Sequence, residues 1–181
     1  MAYNLQDQEQ IDELKAFWAN NGNRLMWLAV IALAVFAGWR AWNWYHDGQA
    51  QDAAREYAGL VSAADSGKIE QVRERYDAIQ KGYGSSVYAG MAGLRAAEAF
   101  AKANQPDAAV AALESVMKNS TEPGFKPIAG VRLAGLLLDQ KKYDEATKAI
   151  DSGNIGPISG EMAASVADRR GDILAAQGKA S

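Results

Sequence analysis

Three arginines, Arg95, Arg132 and Arg169, recur at an interval of 37 residues. A guanidinium presents a planar fork of donors, so a row of them suits gripping the carbonyls or carboxylates of a bound chain. Two of the three have an acid three residues further on, Glu98 after Arg95 and Asp172 after Arg169. A second reading therefore pairs them with these neighbours and leaves only a solvated helix face. Both readings stand on the sequence.

Catalytic chemistry finds less support. The single histidine, His46, sits beside a cluster of aromatics and reads as an interfacial ring rather than a proton carrier. The run "GYGSS" at Gly82–Ser86 has glycines but lacks the Gly-Lys-Ser/Thr ending that lets a loop and a lysine hold phosphate. It reads as a break between helices. No carboxylate pair has a catalytic context, no His/Asp/Glu cluster has metal-ligand spacing, and cysteine is absent, which removes thiol nucleophiles and thiolate sites. No enzyme activity, metal or cofactor is expected. A hydrolase or transferase would be reopened only by a turnover lost on mutating His46 or the arginines. With 19 basic and 22 acidic residues and a net charge of -3, the chain also lacks the basic footprint of a nucleic-acid binder.

The elements that must position the arginines follow from the same 37-residue register. "RAAEAFAKANQPDAAVAALESV" from Arg95 and "RLAGLLLDQKKYDEATKAIDSG" from Arg132 each read as helix, short turn, Asp-x-Ala, helix. Ala97, Ala134 and Gly171 share a small-residue position, Phe100, Leu137 and Leu174 a large apolar one, and Leu113 and Ile150 another. One period earlier, Leu60, Ala63, Val72, Tyr76 and Ile79 take corresponding places. Gly67, Asn104, Lys141 and Gly178 fall at the turns, and Gly is favoured at a helix C-terminus. A small residue in the first helix and an Ala in the second, Ala109 or Ala146, permit close antiparallel packing.

The expected fold class is thus all-α, an α-solenoid of helical hairpins resembling the tetratricopeptide repeat. The period departs from the usual 34 residues, which puts the extra residues between hairpins, around 119–127 and 152–160. The usual bulky residue early in the first helix is replaced by Gly93, Gly130 and Ala167. The last first helix, "VADRRGDILAAQGKAS", lacks a following second helix, so a continuation of the chain or a partner is expected to cover its apolar face. Stacked hairpins present a face built from successive first helices. On the register that groove is lined by Tyr57, Met91, Leu94, Arg95, Glu98, Ile128, Val131, Arg132, Leu138, Ser165, Arg169 and Asp172.

Ahead of the hairpins, Leu25 to Tyr45 forms a run of 21 residues with one charge, Arg40. At about 1.5 Å per residue this length of helix crosses a hydrocarbon core of about 30 Å. Arg40 extends its charge to the headgroups, and Trp39, Trp42, Trp44 and Tyr45 form an interfacial girdle. A cleaved signal is disfavoured by the long leading segment with Asp7, Glu9, Asp12 and Glu13, and a buried core helix by the aromatic stack at one end. The expected organisation is a tail at 1–24, a transmembrane helix at 25–45 in contact with membrane lipid, and a repeat domain at 46–181 with its last repeat incomplete. In the tail, Ile11, Leu14, Phe17 and Trp18 follow the period of an amphipathic helix, lying on the bilayer or docking a membrane partner. Asn20-Asn21-Gly22-Asn23 is expected to break it. Lys15 and Arg24 before the span nearly balance Arg40 and Arg55 at or after it, so charge alone sets no orientation.

The order of an acidic tail, "NNGNRL" entering the span, "GWRAWN" leaving it, "YGSSVYAGMAGLRAAEAFAKANQPDAAVAAL", "VRLAGLLLDQKKYDEATKAID" and "VADRRGDILAAQGK" resembles the YfgM family, ancillary subunits of the SecYEG translocon. The likeness spans essentially the whole chain. It implies a single-pass inner-membrane protein with a cytoplasmic N-terminus and a periplasmic repeat domain. It also implies docking of the periplasmic folding factor PpiD and help in passing exported polypeptides to periplasmic chaperones. A membrane-anchored repeat scaffold for another cell-envelope complex is the alternative.

Overall fold

The computed structural model describes residues 3–178, with side chains for 15, 17–19, 21–40, 49–151 and 153–178. The described elements are all helical, as the register predicts: α1 (Tyr3–Asp65), α2 (Ile69–Tyr83), α3 (Val87–Lys102), α4 (Pro106–Asn119), α5 (Phe125–Asp139), α6 (Tyr143–Ala149), α7 (Ser152–Ile155) and α8 (Gly160–Ala176). The chain divides into two compact units, Met1–Gly48 and Gln49–Ser181.

In the first unit, the segment Asn21–Arg40 is long and apolar enough to cross a membrane, with almost none of it buried. Met26, Trp27, Leu28, Leu33, Val35 and Phe36 are more than half exposed. A core helix would hide such side chains, whereas a lipid-facing one displays them all round. Trp39 is also exposed and lies with its ring centroid 6.0 Å from that of Phe36. Leu25 and Arg40 are exposed too, while Ile11, Leu14, Trp42, Trp44, Tyr45 and His46 lie outside the residues whose side chains are described. One expectation is corrected: Asn20–Asn23 does not break the chain, which stays helical through it. Gly22 lies against the Trp18 indole, where an added Cβ would come within 3.3 Å. A lone helical Gly costs only about 1 kcal/mol relative to Ala, which the apolar helix on its far side outweighs.

The second unit is the hairpin array. Helices α1 (from Gln49) and α2, α3 and α4, and α5 and α6 form three antiparallel pairs, and α8 packs on α5 and α6 as an unpaired first helix. The predicted turn positions Gly67, Asn104, Lys141 and Gly178 are all left-handed, with φ of 69°, 57°, 59° and 70°. At the first three, the turn residue's amide bonds three residues back (Gly67 to Ala64, Asn104 to Ala101, Lys141 to Leu138) and the next amide bonds five back (Lys68 to Ala63, Gln105 to Phe100, Lys142 to Leu137). These paired bonds satisfy the last carbonyls of each first helix and reverse the chain.

Two of the four turns achieve φ > 0 without Gly, at a steric cost of about 1–2 kcal/mol for an L-residue, while Gly returns about 0.5–1 kcal/mol to unfolded-state freedom. Lys141→Gly should therefore stabilise the domain by about 0.5–1 kcal/mol. A rise in the urea midpoint with an unchanged slope checks this; no rise means the Lys141 side chain supplies compensating contacts.

The register also predicts the core. Leu60, Ala97 and Ala134 are buried at one position, Ala63, Phe100 and Leu137 at the next, and Val72, Ala109 and Ala146 on the second helices. Gly171 and Leu174, their counterparts on α8, are exposed, Leu174 at 47%. No second helix crosses that face among the described residues.

The inserted residues do more than space the hairpins. Phe125 to Pro127 form the first turn of α5, and Ser152–Ile155 fold as α7, whose Ile155 is 2% exposed in the core.

Candidate functional site

Each register residue lies on a first helix of the hairpin array. Tyr57 comes from α1, Met91, Leu94, Arg95 and Glu98 from α3, Ile128, Val131, Arg132 and Leu138 from α5, and Ser165, Arg169 and Asp172 from α8. The apolar members Tyr57, Met91, Leu94, Ile128, Val131 and Leu138 are partly buried. Tyr57 is joined by Tyr88, with ring centroids 5.9 Å apart. Ser165 is exposed and donates its hydroxyl to the Glu161 carbonyl at 2.9 Å, so its hydrogen stays within its own helix.

The three arginines differ in their partners. Arg95 bridges Asp65 at the end of the preceding first helix and Glu98 at 2.9 Å on its own. Burial disfavours the Arg95 charge, but the Glu98 and then the Asp65 carboxylates outweigh it and hold its pKa above the ordinary value. Arg169 pairs with Asp172 at 3.0 Å and lies over Gly135, where an added Cβ would sit 3.5 Å from the guanidinium carbon. Arg132 is exposed and donates to the Leu94 carbonyl at 3.4 Å; no carboxylate lies within ion-pair distance among the described residues. Each arginine thus reaches the first helix before its own, and of the three only Arg132 has no acid partner among the described residues.

Glu98 also accepts from Lys102 at 2.6 Å. The Lys102 ammonium and then the Arg95 guanidinium lower the Glu98 pKa below the ordinary carboxylate value. A depressed folded-state pKa means that the stability from Glu98 is present above the unfolded value of about 4.3 and lost as pH falls through the depressed one. Glu98→Gln should cost under about 1 kcal/mol at neutral pH, given this exposed setting, and flatten the acid limb of stability. Thermal melts from pH 6 to pH 3 check it: equal acid limbs in both proteins would refute the linkage.

Two clefts lie between successive first helices. One, of about 460 Å³, is bounded by Asp65, Ala64, Arg95, Ala99 and Lys102; the other, of about 360 Å³, by Ala101, Arg132, Leu136 and Asp139. Ala64 and Ala101, Arg95 and Arg132, Ala99 and Leu136, and Lys102 and Asp139 are each 37 residues apart, so the clefts share four register positions. Asp65, Tyr88, Gly135 and Asp139 did not emerge from the sequence pattern. For Asp139 the signal was present, seven residues after Arg132 on the same helix face. Among the described residues, no group of acids, histidines or cysteines is arranged to hold a metal ion.

This repeat geometry agrees with the family comparison, in which the tetratricopeptide repeat-like domain matches residues 15–181. An ancillary SecYEG translocon subunit of Neisseria gonorrhoeae is 31% identical over 180 residues, covering 99% of this chain and 84% of the relative. The chain belongs to the YfgM family of ancillary SecYEG translocon subunits. An Escherichia coli protein of that name is 30% identical over 175 residues, covering 95% of this chain and 81% of its own length. One from Haemophilus influenzae is 24% identical over 180 residues, with coverage of 98% and 85%. No solved structure matches the chain. Membership joins the apolar helix and the hairpin array in one family pattern, since the matched region runs through both.

Proposed function

We propose that this protein is a non-catalytic, single-pass subunit associated with the SecYEG translocon in the inner membrane. Its N-terminus lies in the cytoplasm, and its repeat domain lies in the periplasm. The observation that carries this reading is the near full-length likeness to proteins named as ancillary SecYEG translocon subunits. An exposed apolar helix ahead of a hairpin array supports it, because such a helix places a protein-binding domain against a membrane. The first-helix face docks a PpiD-like folding factor and helps pass exported polypeptides to periplasmic chaperones. Partly buried apolar side chains beside Arg132 suit that task, offering apolar contact and forked donors without a bound cofactor.

Affinity purification of the intact protein from native membranes in mild detergent tests this, beside a variant whose residues 25–45 are replaced by an unrelated span. SecYEG subunits and a PpiD-like isomerase should accompany the native protein. Their loss with the replaced span would locate recognition in the membrane. Recovery of a different envelope complex instead would replace the translocon reading with that of a scaffold. Because the chain has no cysteine, Thr121→Cys gives a single label site in an exposed loop. A membrane-impermeant maleimide should reach it from the periplasm in intact cells, and labelling only after lysis would reverse the orientation.

A further inference from the structure

We infer that the cleft between α3 and α5 receives one bulky apolar side chain of an extended polypeptide, flanked by an acidic residue against Arg132 and a basic residue against Asp139. The inference rests on the groove reading above and names the segment that the groove takes. Ala97 and Leu113, both buried, form the floor, and Gly135 lines the cleft with the Arg169 guanidinium lying over it. The cleft of about 360 Å³ therefore offers an apolar site with charges only at its rim.

The charge pattern distinguishes this cleft from its repeat partner. In the α1–α3 cleft, Arg95 is neutralised by Asp65 and Glu98. In the α3–α5 cleft, Glu98 is occupied by Arg95 and Lys102, while Arg132 and Asp139 have no ion-pair partner among the described residues. These two opposite charges lie seven residues apart on α5, a rise of about 10.5 Å. An extended chain advances about 3.3 Å per residue with successive side chains on opposite faces, so an acid, an apolar residue and a base that share one face take alternate positions and span about 13 Å, a difference from about 10.5 Å that the length of an Arg side chain covers. Such a ligand supplies Arg132 with a carboxylate and Asp139 with a cation while its apolar group leaves water.

The test uses the full chain in lipid nanodiscs and short fluorescent peptides read by anisotropy. The parent peptide carries Asp and Lys four positions apart with a Phe midway between them. It should bind the wild-type protein, and Ala101→Leu, which enlarges an exposed side chain lining the cleft, should weaken it about tenfold. Arg132→Glu should weaken the parent but favour a peptide with Lys in place of its Asp. Asp139→Lys should do the reverse and favour a peptide with Asp in place of its Lys. Such charge-matched recovery shows that the variants are folded and does not depend on the direction in which the peptide lies.

No parent binding to wild type, or no change of peptide preference in either charge variant, would overturn the assignment. Leu94→Glu separates the two levels of the reading. If it abolishes binding of the parent while the cleft variants leave it unchanged, the groove stands and the cleft assignment falls. If none of the variants alters binding, the groove reading falls as well.

Discussion

Phe100→Ala is expected to destabilise the hairpin domain by about 3–5 kcal/mol, the largest effect of any single truncation proposed for this protein. Phe100 is 2% exposed at the large apolar position of α3. Its ring meets Tyr76 edge-on, with centroids 6.5 Å apart and planes at 83°, while the Arg73 guanidinium lies 4.8 Å from its centroid. Truncation therefore removes a large buried area, an aromatic pair and a cation–π contact, and leaves a void between α2, α3 and α4 that the helices close only in part. Small domains are stable by only about 5–15 kcal/mol, so the loss should be visible as a large fall in the urea midpoint.

Leu174 supplies the internal control. It occupies the same register position two periods later, yet it is 47% exposed on α8. Leu174→Ala should change stability by no more than about 0.5 kcal/mol, as for an ordinary surface site. Equal effects at the two positions, measured by urea unfolding followed by circular dichroism, would mean that burial on this register has been misjudged.

Gly130→Ala should also destabilise strongly, by about 1–3 kcal/mol, although Ala is the better helix former by about 1 kcal/mol. A Cβ at Gly130 would lie 2.6 Å from the Ala149 carbonyl oxygen and 2.6 Å from Ile155 Cγ2. Because one of these atoms is backbone, α6 and α7 would have to move. At the equivalent Gly93, a Cβ would meet Val116 Cγ2 at 2.4 Å on α4. Ala167 occupies the position on α8 and is exposed. Glycine is thus found where a second helix or its extension crosses, and Ala where none does among the described residues. Gly171, with nothing within 4 Å of its Cβ position, makes the contrast. Gly171→Ala should stabilise α8 by about 1 kcal/mol through helix propensity alone. A neutral or stabilising Gly130→Ala in the same denaturation series would show that α7 is not held against α5.

The missing bulky residue that makes the repeats look degenerate in sequence thus has a packing explanation. Spacing could identify the position but could not reveal which atoms approach it. Ile155 shows the same limit. Set between Gly153-Asn154 and Gly156-Pro157, it reads as part of a linker, because local composition favours a turn. The fold makes it a core residue by returning the chain over Gly130. The Asn20–Asn23 helix errs the other way: weak helix formers read as a break, and a strongly helical neighbour carries the conformation through them.

The sequence by itself determined the helical hairpins, their period, the positions of their turns and the apolar span. Each of these depends on residues within one or two helical turns, where backbone geometry allows few arrangements and the repeat states the same solution several times. Tertiary structure decided the rest of the arginine row's use. The local pairs Arg95–Glu98 and Arg169–Asp172 were legible in the sequence, but the Asp65 partner of Arg95 and the Leu94 carbonyl that Arg132 reaches were not. A long side chain chooses its partner from whatever the next helix brings within reach, and that depends on how the helices pack rather than on the interval between arginines.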